Sequence, residues 1–170
     1  MPTMFIASTT LTTALLLSTT LCSTLDALPQ VTFDYPKRWW YTTKETPLSN
    51  ASIIVVGKSW QQSRPVINFV TTPYTCSDKE YLDNSLEEIT IFPYTKDASY
   101  LGTMEVSSET VHLFSCDVEN NEEETRYIQG ILLKDGYAHH LTVSAAKEEF
   151  LKYIEVFNQA FLSLKVVRSR

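Results

Sequence analysis

Glycine is scarce in this sequence, with four in 170 residues, which argues against a glycine-rich nucleotide-binding architecture. No Gly-x-Ser-x-Gly, phosphate loop or His-Glu-x-x-His occurs, so the usual signatures of serine hydrolases, NTPases and zinc peptidases are missing. The three cysteines, Cys22, Cys76 and Cys116, form no Cys-x-x-Cys, and a redox or zinc motif is unsupported. Basic residues are outnumbered, 14 Lys and Arg against 20 Asp and Glu, for a net charge of −6. That balance argues against a nucleic-acid partner and lends no support to docking on an anionic membrane surface.

No Lys, Arg or His precedes Lys37. Met4 to Ala7 and Leu11 to Leu17 are apolar, interleaved with Ser and Thr, and end in Ser18-Thr19-Thr20-Leu21-Cys22-Ser23. A short apolar core followed by small polar residues is the order of a secretory signal, with only the α-amino group to supply positive charge. Cleavage after Cys22 or Ala27 fits that reading. Uncleaved, residues 4–22 are long enough to serve as an apolar anchor. Residues 1–27 are therefore read as signal peptide or anchor, and residues 28–170 as a single domain. The expected location is exported, periplasmic or extracellular. Membrane attachment follows only if the leader is retained, and a cytosolic location only if it is not processed.

With 44 % hydrophobic and 12 % aromatic residues, the chain has the material for a proper core and a sheet-rich fold. Val31, Phe33 and Tyr35 alternate with Thr32 and Asp34, the period of a strand with one buried face, which Pro36 closes. Trp39-Trp40-Tyr41 then loads one corner with aromatic surface. After a polar loop from Lys44 to Asn50, the β-branched runs Ser52–Gly57 and Pro65–Thr71 read as central strands. Ser77-Asp78-Lys79-Glu80 is a capping box. Its helix sets Leu82, Ser85, Leu86 and Ile89 on one face and stops before Pro93. Strands follow over 100–106, 110–117, 126–133 and 137–144, with hairpin turns at Ser107-Ser108-Glu109 and Lys134-Asp135-Gly136, the second of the Asp-Gly kind. Phe150, Ile154, Phe157 and Phe161 form the apolar stripe of a last helix, expected from about Ala146 to Leu164.

Phe33, Tyr35, Pro36 and Trp39 form an opening that resembles that of the Mog1/PsbP-like superfamily, which includes bacterial PsbP-like envelope proteins. Tyr137 to Val143 resembles its penultimate strand and Phe157 to Leu164 its terminal helix, while Arg38 replaces the glycine usual before the tryptophan. The resemblance implies an α+β fold, an α/β/α sandwich around an antiparallel sheet of about six strands. One helix would follow the second central strand and another would close the chain. It also implies action by binding rather than catalysis, with no cofactor and no site residue carried over, since the matched positions are scaffold.

The acidic run Asp117, Glu119, Glu122, Glu123 and Glu124 reads as a solvated hairpin loop, and as a surface for a basic partner protein if it works at all. It lacks the central glycine of a calcium loop. Trp39 and Trp40 are the other candidate partner surface. Cys76 and Cys116 read either as one disulfide or as two separate thiols. His112 and Cys116, four apart on a strand, face the same way as a catalytic pair would, but without a third orienting group plain packing is preferred. His139 is expected in the core and His140 on the opposite face, again as packing residues rather than metal ligands. The leading reading is a non-catalytic, exported accessory protein of a cell envelope that meets another protein at a sheet edge or the acidic hairpin. Behind it stand a cytosolic chaperone or adaptor for a secreted or membrane-inserting client, and an enzyme with a Cys/His site.

Overall fold

The computed structural model describes residues 30–46, 49–58, 64–120 and 123–167; the leader, and with it Cys22, lies outside them. Two short strands, β1 (Gln30–Thr32) and β9 (Lys165–Val167), pair antiparallel and form a separate ribbon. The main sheet is antiparallel throughout. It comprises β2 (Trp40–Thr46), β3 (Ser49–Val56), β4 (Val66–Pro73), β5 (Thr95–Val106), β6 (Glu109–Asn120), β7 (Glu123–Lys134) and β8 (Tyr137–Ala146), in the order β2-β3-β4-β8-β7-β6-β5. Helix α1 (Asp78–Ile91) joins β4 to β5 on one face. A 3-10 turn (Phe150–Tyr153) runs into helix α2 (Ile154–Leu162), which lies on the other face. The α+β sandwich is thus present, with its helices after the second central strand and at the chain's end.

Seven strands stand where about six are expected. The extra one is β2, whose backbone pairs with β3 from Trp40↔Val56 to Thr46↔Ser49 through a stretch that reads as turn and polar loop. Threonine is a good strand former, and an edge strand tolerates polar residues. The opening strand is shorter than its alternation predicts. Only Gln30–Thr32 pairs, and it pairs with the tail rather than the main sheet; Phe33 is still buried, but Tyr35, expected on the same face, is exposed because the strand has already ended. The last helix is also shorter, because β8 continues to Ala146 before the chain turns.

Side-chain period divides the sheet into two cores. On the α2 face, Val55, Ile67, Phe69, Val111, Leu132, Leu141 and Val143 pack with Phe150, Phe157, Phe161 and Phe33. On the α1 face, Phe114, Ile131 and Ala138 meet Tyr81, Leu82, Leu86 and Ile89. Ser77 caps α1, its Oγ accepting from the Glu80 amide at 3.3 Å. Both hairpin turns hold two residues with positive φ, Ser107 and Ser108 (52° and 67°) and Asp135 and Gly136 (52° and 77°).

Candidate docking surface

The register of the β6–β7 hairpin sets Asp117 opposite Arg126 and Glu119 opposite Glu124. Most of the acidic run is therefore strand, not loop: pairing persists to Asn120↔Glu123, and Glu122 lies outside the described residues. Asp117 is 2 % exposed. Arg126 donates to it from Nε and Nη2, both at 2.8 Å, and Lys147 Nζ approaches at 2.8 Å. The Arg126 hydrogen bond, followed by that of Lys147, holds the Asp117 carboxyl below the usual carboxylate range despite the opposing effect of burial. Lys147 also pairs with Glu124 at 2.9 Å, and Lys96 pairs with Glu119. Glu123 is half-buried. The charge that the sequence offers to a basic partner is largely matched by cations of the same chain.

Next to this network, no helix among the described residues covers the α2-side face at the β5 edge. A cleft of about 340 Å³ is lined by Asp97, Ser99, Leu101, Ser115, Arg126 and Ile128, with Asp117 at its base. Ser99 Oγ and Ser115 Oγ lie 3.0 Å apart. The β5 edge is interrupted by register shifts between Lys96 and Ser99 and between Tyr100 and Gly102, and Gly102 has φ 115°. Tyr100 and Leu101 are about half exposed here, Leu101 in the cleft and Tyr100 against His112 and Phe114. Nothing in the sequence marks this cleft, because it forms from three strands that meet only in the sheet. A second, shallower groove of about 320 Å³ runs between Asp34-Tyr35-Pro36 and Glu155, Val156 and Gln159 of α2.

The tryptophan corner divides. Trp39 packs on the α2-side core, edge-on to Tyr153 (6.0 Å, 79°) and Phe157 (6.4 Å, 87°). Trp40 points outward and is 66 % exposed. As a docking surface the corner is one tryptophan, not two.

Cys76 and Cys116 are free thiols, so the disulfide alternative does not hold. Cys76 follows the end of β4, while Cys116 lies well along β6, with β8 and β7 between the two strands. Three strand spacings already amount to about 14 Å, twice the reach of a disulfide. Burial and the adjacent Asp117 push the Cys116 thiol up to about 11, which leaves it protonated at neutral pH. His112 and Cys116 share the α1 face, but four strand residues separate them by about 13 Å. His112 Nδ1 instead meets Tyr100 OH at 3.1 Å.

His139 is fully buried on the α2 face, and His140 points to the α1 face, where its Nε2 lies 2.8 Å from Tyr81 OH. That hydroxyl also meets Thr72 Oγ1 at 3.1 Å, tying α1 to the sheet. Among the described residues, no group of three or more His, Cys, Asp or Glu is arranged to hold a metal ion, and no helix is long and apolar enough to cross a membrane.

These features define an α+β sandwich with β5 at a sheet edge. No protein-family profile and no curated protein sequence matches the chain. Its structure is similar to that of LpqN of Mycobacterium tuberculosis, described as involved in cell envelope biogenesis, with TM-score 0.64 and 12 % identity over 82 % of this chain and 84 % of that one. PA94, a Pseudomonas aeruginosa protein of unknown function, matches with TM-score 0.50 and 12 % identity, over 76 % and 99 % of the two chains. CyanoP, the PsbP of Synechocystis, matches with TM-score 0.49 and 12 % identity, over 86 % and 98 %. At such identity the likeness is one of fold.

Proposed function

We propose that this chain is a non-catalytic accessory protein of the cell envelope, a Mog1/PsbP-like domain that acts by contact with another protein and needs no cofactor. The observation that supports this most is its correspondence with LpqN over more than four-fifths of both chains, LpqN being a protein of envelope biogenesis. The apolar leader agrees with export. On this reading the partner meets the β5 edge and its cleft, which offer a strand edge unpaired among the described residues beside the apolar side chain of Leu101.

Cell fractionation combined with intact mass tests the first half. A protein shortened by its first 22 to 27 residues in an envelope or secreted fraction is the expected result; an unprocessed chain in the cytosol would overturn it. Replacing Leu101 by Asp should abolish the association while leaving the fold intact by circular dichroism. Unchanged association would remove β5 as the contact. The cytosolic chaperone reading keeps one specific feature, the exposed Trp40, and an unprocessed cytosolic chain whose client binding is lost in Trp40→Ala would favour it.

A further inference from the structure

His139 sits in the wall of the larger core with half its hydrogen-bonding capacity unused. Its ring is 0 % exposed, Nδ1 lies 3.0 Å from Thr71 Oγ1, and Nε2 is buried with no hydrogen-bond partner among the described residues. The imidazole stacks on Phe69 at 6.2 Å and 14°, and Phe69 in turn touches Phe33 at 6.1 Å. Phe33 belongs to the strap that leads from β1 toward Trp39. Beside the packing of Phe33, the ties of that strap among the described residues include the three-residue pairing of β1 with β9, the Asp34 amide donating to Ser163 Oγ at 2.7 Å, and Gln159 Nε2 donating to Asp34 Oδ2 at 3.3 Å.

We propose that His139 is an acid-sensitive latch: when its ring takes up a proton, the Phe33 strap and the β1–β9 ribbon lift from the core and expose the apolar surface around Phe69. The reasoning is stereochemical. A neutral imidazole can satisfy Thr71 with one nitrogen and leave the other in an apolar setting at moderate cost. An imidazolium has two N–H donors and a charge, and Thr71 Oγ1 accepts only one of them. The second needs water, and the Phe33 strap, joined to the ring through Phe69 and preceded by a ribbon of three residue pairs, is the layer nearest to giving way. Charges do not relieve the problem. Lys134 and Asp135 of the β7–β8 turn act on the ring in opposite senses, and the other near groups are the Tyr137 ring, 6.5 Å away, and His140, which points to the opposite face. Burial, with a smaller effect from Lys134, lowers the His139 pKa to about 4, so the latch is closed at neutral pH.

The test follows the full-length protein from pH 7.5 to 3 by NMR of the His139 ring, alongside amide exchange corrected for intrinsic rates. Exchange protection of residues 30–35 and 165–167 should fall at least tenfold, with the same midpoint as the ring titration, while β7 and β8 stay protected. In His139→Gln, strap protection should no longer depend on pH. An equal acid loss in His139→Gln, or a strap that stays protected while the ring titrates, would overturn the proposal. If that variant does not fold, the two wild-type midpoints decide, and separate midpoints reject the latch.

Discussion

A Cβ built on Gly130 would lie 2.7 Å from Cε1 of Phe161 and 2.9 Å from Cγ1 of Val111. Helix α2 is seated on the sheet where β7 presents no side chain, and both neighbours are buried, so neither can swing aside. Gly130→Ala should therefore destabilise the domain by about 1–3 kcal/mol, although alanine is the better strand former. Denaturant unfolding measures this; an unchanged midpoint would mean that α2 shifts freely on the sheet.

Asp117 is the buried member of the hairpin ion network. Asp117→Asn leaves Arg126 and Lys147 facing a neutral amide and should cost about 3 kcal/mol. Glu124→Gln, whose carboxylate is partly solvated, should cost under about 1 kcal/mol. Because the folded Asp117 carboxyl is held below its ordinary value near 4, its contribution is present above that value and lost as pH falls below it. Asp117→Asn should flatten stability against pH in that acid window.

The two adjacent histidines add an earlier acid dependence. Burial lowers both His139 and His140 to about 4 from an ordinary 6.5, so between those values the unfolded chain binds more protons. Stability should be flat above pH 7 and fall as pH drops from 6.5 to 4, the logarithm of the unfolding constant changing by nearly two per pH unit in mid-window. For the fully buried His139 the loss is on the order of 3 kcal/mol. A slope near zero would show that these rings are hydrated in the native protein.

The two tryptophans should respond oppositely to truncation. Trp39→Ala removes the ring that fills the space beside Gly57, Tyr153 and Phe157, and should cost about 3–5 kcal/mol. Trp40→Ala should stay within about 0.5 kcal/mol of wild type in thermal unfolding.

The Ser107-Ser108 turn places two L-serines at positive φ. Ser108→Gly should stabilise the β5–β6 hairpin by about 0.5–1 kcal/mol, read as a raised urea midpoint. No gain would indicate that the serine side chains compensate locally for the strain.

The sequence by itself determined the elements whose causes are local. Ser77 with Glu80 marked the start of α1, Pro93 its limit, Asp135-Gly136 and Ser107-Ser108 the two hairpin turns, and the Phe150–Phe161 spacing the buried stripe of the last helix. The alternation of β8 also sent His139 and His140 to opposite faces. Tertiary structure alone decided what depends on distant partners. Val31 was legible as buried, but its pairing with Val166 joins the two ends of the domain, and no local period encodes that choice. An aspartate in an acidic run reads as solvated. Asp117 is buried because cross-strand register brings Arg126 to it and the end of β8 brings Lys147. The position of β5 at the sheet edge, its cleft and the burial of His139 Nε2 without a partner among the described residues arise in the same way, from strand order and layer packing rather than from any run of neighbouring residues.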